Sequence, residues 1–103
     1  MPSVTPADFH RLADAEVLAA RRWYARRGGA SLAARFVAAL DDATARVEAN
    51  PAMWPPESHG ARSCRLKKFP YRLIHVERPN RVRVLAVAHD RQRQGYWVRR
   101  LPP

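Results

Sequence analysis

At 103 residues the chain fits one small domain with a modest core, and 47% apolar residues make it globular rather than disordered. A formal net charge of +10 marks a strongly basic protein, and the lack of any long apolar run or charged-then-apolar leader excludes a membrane span and predicts a cytosolic protein. The single cysteine, Cys64, excludes an internal disulfide and a cysteine-rich zinc site, and reads as a small buried hydrophobe on a strand.

Met1–Pro6 holds two prolines and reads as a lead-in, with a weak strand signal over Val4–Phe9. From Leu12 to Arg27 the spacing turns helical: Ala13, Val17, Ala20 and Tyr24 lie four, three and four apart, on one face. Gly28 and Gly29 end that stretch, and Ser31 is the expected N-cap of a second helix. Phe36, Leu40, Ala43 and Val47 repeat the same spacing until Asn50-Pro51 stops it. Two stripes with a glycine joint predict an antiparallel helical hairpin. Met53 to Gly60 is a proline-rich loop.

The period then changes to two. Ser63–Lys68 sets Cys64 and Leu66 on one side and Arg65 and Lys67 on the other. Pro70 breaks the run, Tyr71–Glu77 is a second strand, Pro79-Asn80 turns the chain, and Val82–Ala88 is a strand apolar on both faces. The tail from Asp90 to Pro103 is basic and aromatic with no assignable period. The expected architecture is α+β: an N-terminal antiparallel helical hairpin packed on a small, mainly antiparallel β-sheet, as one domain over residues 1–103.

Charge is unevenly placed. Residues 1–50 hold seven basic and six acidic side chains, a net of +1, whereas residues 51–103 hold twelve and three, a net of +9. A field of that sign attracts a polyanion or an acidic protein. His10, His59 and His75 have no companion at metal-ligand spacing, so no metal site and no cofactor is expected. Asp41-Asp42 reads as an exposed mid-helix pair, His89 as a hydrogen-bonded strand cap, and Tyr71 as a core or hairpin tyrosine. Trp23 and Trp54 read as packing for the helix pair and the loop after it.

The run Phe69-Pro70-Tyr71-Arg72-Leu73-Ile74, a turn, Val82-Arg83-Val84-Leu85-Ala86-Val87-Ala88-His89, then Arg91-Gln92-Arg93 and Tyr96-Trp97, resembles the ParE-like branch of the RelE/ParE toxin superfamily. Glu16, Ala20, Trp23-Tyr24, Phe36, Leu40 and Asn50-Pro51 resemble that branch too, so the likeness runs from about Leu12 to Arg100. The family's usual first strand is weak here because Pro6 falls inside it. The resemblance implies a toxin encoded beside an antitoxin whose acidic C-terminal segment wraps and neutralises it. A ParE-like member poisons DNA gyrase by protein contact; a RelE-like member cleaves mRNA in the ribosome, and fold alone does not choose between them. A degenerate toxin or a nucleic-acid-binding module is the third reading.

Metal-free RNA cleavage requires a base for the 2′-OH, cations for the phosphorane and an acid for the leaving oxygen. If the chain is RelE-like, the resemblance gives the catalytic roles to Arg72, Arg91 and Tyr96. Ungapped matching puts Trp97 at the tyrosine position instead, and an indole stacks a base but transfers no proton. Arg65, Lys67, Lys68, Arg83, Arg93 and Trp97 are the expected RNA, phosphate or partner contacts.

Overall fold

The computed structural model describes residues 4–102. Of the expected lead-in, the first three residues lie outside that range. Strand β1 (Ala7–Phe9) comes first and lies within the weak signal over Val4–Phe9. It stops where His10 turns into the helix, with the His10 ring Nδ1 accepting the Leu12 N–H at 3.0 Å.

The helical half is one element, α1 (Arg11–Ala49), and not the expected pair of helices joined by a loop. The glycines act as a kink inside it: Gly28 (φ −136°, ψ 16°) and Gly29 (φ 74°, ψ −171°) leave helical geometry, and the helix resumes at Ala30. A straight helix of this length would reach about 58 Å, whereas the longest extent of the molecule is 39 Å. The two arms therefore bend back at the glycines, and the Tyr24 and Phe36 rings meet across the joint at 5.3 Å. Gly29 holds the non-helical position, so Ser31 lies within the second arm and does not cap it. The two predicted stripes are the buried face: Ala13, Ala20 and Tyr24 on the first arm, and Phe36, Leu40, Ala43 and Val47 on the second.

After α1 come β2 (Arg62–Arg65), β3 (Tyr71–Arg78) and β4 (Arg81–His89). The sheet order is β1-β4-β3-β2, with β1 parallel to β4 and the other pairs antiparallel. β2 is shorter than the expected Ser63–Lys68 because the chain turns at Lys67–Lys68, where Lys68 takes φ 66°. The proline-rich segment borders β2: Ser63 N–H donates to the Pro55 carbonyl and Glu57 N–H to the Ala61 carbonyl.

One irregularity sets the faces of β4. The β3–β4 register slips between Ile74 and His75, so Ile74 pairs with Ala86 and His75 with Val84, leaving Leu85 as the extra residue of a bulge. Val82, Val84 and Val87 thus face α1, while Leu85, Ala86 and Ala88 face the other side. That second face is covered by the tail. Trp97 is 1% exposed against Ala61, Ile74, Val76 and Leu85, just before a short 3-10 turn at Val98–Arg100.

His75 is also 1% exposed, and its Nε2 lies 3.1 Å from the Pro51 carbonyl, which fixes the neutral ring as a donor there. Burial lowers its pKa below the ordinary histidine value.

Two predictions follow from the backbone and from this ring. Gly29→Ala should cost about 1–3 kcal/mol in denaturant unfolding, because its dihedrals belong to a region almost reserved for glycine; an unchanged midpoint would refute the kink assignment. An unfolded histidine takes up its proton near pH 6.5 while folded His75 stays neutral, so below that pH the unfolded state binds more protons. Stability should fall as pH drops through about 6.5, and His75→Gln should flatten that slope; a slope unchanged by the substitution would contradict this.

Candidate functional site

The most densely bonded polar group joins the two ends of the chain. Glu16 lies three residues after Ala13 and four before Ala20, which puts a carboxylate on the apolar stripe of the first arm. Its Oε1 accepts the Val87 N–H of β4 at 3.0 Å, and its Oε2 accepts the Tyr96 hydroxyl at 2.7 Å. Arg100 donates to both oxygens at 2.9 Å, donates again to the Leu85 carbonyl at 3.0 Å, and lies 5.0 Å from the Tyr96 ring centroid. One carboxylate thus holds the tail against the helix and the outer edge of β4. Burial, and then the hydrogen bond to Glu16, push the Tyr96 hydroxyl pKa well above the usual tyrosine range.

The sequence-predicted residues fall into separate groups. Arg72 is half-buried, 3.5 Å from Glu57 and 3.9 Å from Asp90. Arg65 grips the same Asp90 through both carboxylate oxygens at 3.1 and 2.8 Å, and this bond holds the Asp90 pKa below its ordinary value. Arg91 is exposed; its N–H donates to the His89 Nδ1 at 3.0 Å, so His89 does cap the strand end. Tyr96 is elsewhere, on Glu16. Arg83 pairs with Asp8 at 3.4 Å beside Arg81 at 2.9 Å. Burial raises the Asp8 pKa, but the hydrogen bond from Arg81 and the nearby Arg83 outweigh it and leave it lowered. Lys67 lies 3.9 Å from Asp42, while Lys68 and Arg93 are exposed and form no ion pair among the described residues. Trp97, expected to meet RNA or a partner, is instead part of the core: a 1% exposed indole offers no face to a ligand. Trp23, expected to pack the helix pair, is 43% exposed with Arg27 stacked over it at 4.5 Å.

Two open grooves flank the aromatic cluster where the arms meet the sheet. The first, of about 570 Å³, runs between Glu16, Ala19 and Trp23 on the first arm and Tyr71, Val87 and His89 on the sheet. The second, of about 680 Å³, lies between the second arm and the β2–β3 turn, with Leu32, Ala38, Ala39 and Phe69 lining it and Arg35, Lys67 and Lys68 at its margin. Tyr24 and Pro70 line both. Tyr71 adjoins this cluster half-buried, and burial raises its pKa to about 12. The sequence does not show these grooves, since each joins the helix to a sheet segment far along the chain, Glu16 to Tyr71 in the first and Asp42 to Lys67 in the second. The cationic Lys67–Lys68 pair, expected as a partner contact, is the sequence signal at the second of them. What the arrangement offers is a cationic surface with apolar recesses, suited to holding another macromolecule.

A family model described as the ParE toxin of a type II toxin–antitoxin system, parDE, matches residues 7–94. Among solved structures, a chain titled as the chromosomal ParDE TA system from P. aeruginosa has the same fold: TM-score 0.74 at 18% identity, covering 84% of this chain and 96% of that one. Among curated proteins no relative matches.

The Glu16 cluster makes a stability prediction. Arg100→Met leaves a half-buried carboxylate without its cation, and unfolding should show a loss of about 3 kcal/mol. A loss below about 0.5 kcal/mol, the level of an ordinary surface change, would show that the tail is held by Trp97 alone.

Proposed function

The chain belongs to the ParE toxin family of type II toxin–antitoxin systems, and from that premise we propose that it is a single-domain, cytoplasmic toxin that arrests growth by binding DNA gyrase and is neutralised by a cognate antitoxin. The observation that carries the contact mode of action is the state of the C-terminal aromatics. Tyr96 spends its hydroxyl on Glu16 at 2.7 Å, and Trp97 is buried. A nuclease acid must reach the leaving oxygen with a proton it can give up. Tyr96 instead keeps its proton on a structural carboxylate, with a pKa raised by burial. Of the cations that would complete such a site, Arg72 is tied to Glu57 and Asp90, and Arg91 is exposed and forms no ion pair among the described residues.

The distribution of charge supports an acidic antitoxin. Asp8, Glu16, Asp42, Glu57 and Asp90 are each committed to an internal cation. Lys68, Arg78, Arg91, Arg93 and Arg99 form no ion pair among the described residues, which leaves a surface whose uncompensated charge is positive. Complementary acidic residues on a partner would offset that field and speed encounter.

Induced expression in a bacterium, with and without the adjacent gene, tests this reading through separate DNA and mRNA measurements. The expected result is filamentation with double-strand breaks, relieved by the neighbour. Codon-phased mRNA cuts on ribosomes would replace gyrase with a RelE-type activity, and Arg72, Arg91 and Tyr96 would then be the residues to substitute.

A further inference from the structure

Between Glu16 and Asp41 the chain carries five arginines and no acidic residue, although residues 1–50 as a whole have a net charge of only +1. One of the five, Arg35, belongs to the second arm; Arg21, Arg22, Arg26 and Arg27 occupy the last two turns of the first arm, just before the kink at Gly28 and Gly29. These four are exposed, form no ion pair among the described residues, and line neither groove. The helix period sets their arrangement. Arg22 and Arg26 lie one turn apart, about 6 Å along the axis, on the row opposite the buried Ala20 and Tyr24. Arg21 and Arg27 flank that row on opposite sides. The acids nearest in sequence leave this group uncompensated. Glu16 is held by Arg100. Asp14 lies seven residues before Arg21, about 10 Å along the axis, which is a full screening length at moderate salt.

We propose that this end of the first arm binds the phosphate backbone of duplex DNA, independently of base sequence. Guanidinium groups match phosphate oxygens in a bidentate fork. The major groove of B-form DNA is about 12 Å wide and admits one α-helix. Arginines spread to both sides of a helix face reach the two strands that border such a groove. The major groove of an RNA duplex is deep and too narrow for that approach. Single strands fit worse, because their bases need free aromatic faces, and the adjacent Trp23 has Arg27 stacked over it at 4.5 Å. An acidic protein segment fits worse too. Its apolar anchors need pockets, and none of the four arginines lines either groove. The inference goes beyond the gyrase reading. On a gyrase–DNA complex this arm would add a contact to the DNA, but the binding is measured without the enzyme, so each reading can fail alone.

Glutamine has nearly the helix propensity of arginine, so Arg22→Gln/Arg26→Gln removes the central row while keeping the helix. Neither side chain belongs to the core, and an unchanged thermal midpoint checks that the fold is intact. Arg93→Gln/Arg99→Gln is the control. Both residues are exposed and form no ion pair among the described residues, so the same charge is lost away from the arm.

The experiment is fluorescence anisotropy of a labelled, mixed-sequence duplex DNA titrated with the full chain at several salt concentrations. Each lost phosphate contact lowers the logarithmic salt slope by about 0.9, so Arg22→Gln/Arg26→Gln should lower it by about 1.8 and weaken binding by about ten-fold at low salt. The control pair should weaken binding by no more than about three-fold and leave the slope in place. Equal losses in the two pairs would reduce the effect to net charge and overturn the proposal. Wild-type affinity in Arg22→Gln/Arg26→Gln, or no binding by the wild-type chain, would overturn it outright. A duplex RNA of the same sequence should bind more weakly; tighter binding to RNA, lost in the arm variant, would assign the arm to RNA and the proposal would fall. It would fall equally if polyglutamate displaced the labelled DNA more effectively, per unit charge, than unlabelled DNA does, since the arm would then belong to an acidic protein.

Discussion

The carboxylate of Glu16 is the contact on which the arrangement of this chain depends. It takes an N–H from β4, a hydroxyl from Tyr96 and a bidentate guanidinium from Arg100, so three parts of the chain up to 84 residues apart meet on two oxygen atoms. The cause lies in the sheet. β1 is only three residues long, pairing with Val82–Val84, and beyond it the outer edge of β4 has no neighbouring strand. Glu16 supplies an acceptor to Val87 where a further strand would have supplied a carbonyl, and Arg100 supplies a donor to Leu85. An unpaired edge is a liability for any sheet, and here side chains cover it. The same bonds press the tail onto the second sheet face, where Trp97 completes the core.

That arrangement shapes the functional reading. A tyrosine near the C-terminus is the group a nuclease reading would use, yet it is part of the structure's fastening. The apolar recesses, by contrast, are open and bordered by cations. The proposed contact mode of action agrees with how the chain distributes its polar groups: Asp8, Glu16, Asp42, Glu57 and Asp90 are held in internal ion pairs, while among the described residues Lys68, Arg78, Arg91, Arg93 and Arg99 are not.

Much of this was legible in the sequence, for physical reasons that differ by element. The helix stripes could be read because Ala13, Ala20 and Tyr24, and then Phe36 through Val47, follow the helical period without interruption. The sheet half could be read from its alternation, but not the bulge. An extra residue at Leu85 shifts the phase of β4, and in the sequence this appears only as a strand apolar on both faces. The glycine pair reads as a joint between two helices, whereas the chain uses it as a kink in one element, with Gly28 and Gly29 both leaving helical geometry and the helix resuming directly after them. The tail was not legible at all. Tyr96, Trp97 and Arg100 take their places from Glu16 and from the far face of the sheet, and no local period encodes such partners. Glu16 did leave one signal, a carboxylate sitting on an apolar stripe.

On the proposed contact mode of action, the hydroxyl of Tyr96 serves the fold through Glu16 and takes no part in any chemical step. The test is to induce the Tyr96→Phe chain in cells and compare its growth arrest with wild type at matched protein levels. Arrest as strong as that of wild type, with the DNA damage pattern retained, is the predicted result. Loss of arrest from a chain that accumulates and unfolds cooperatively would contradict the account and return the hydroxyl to a catalytic role.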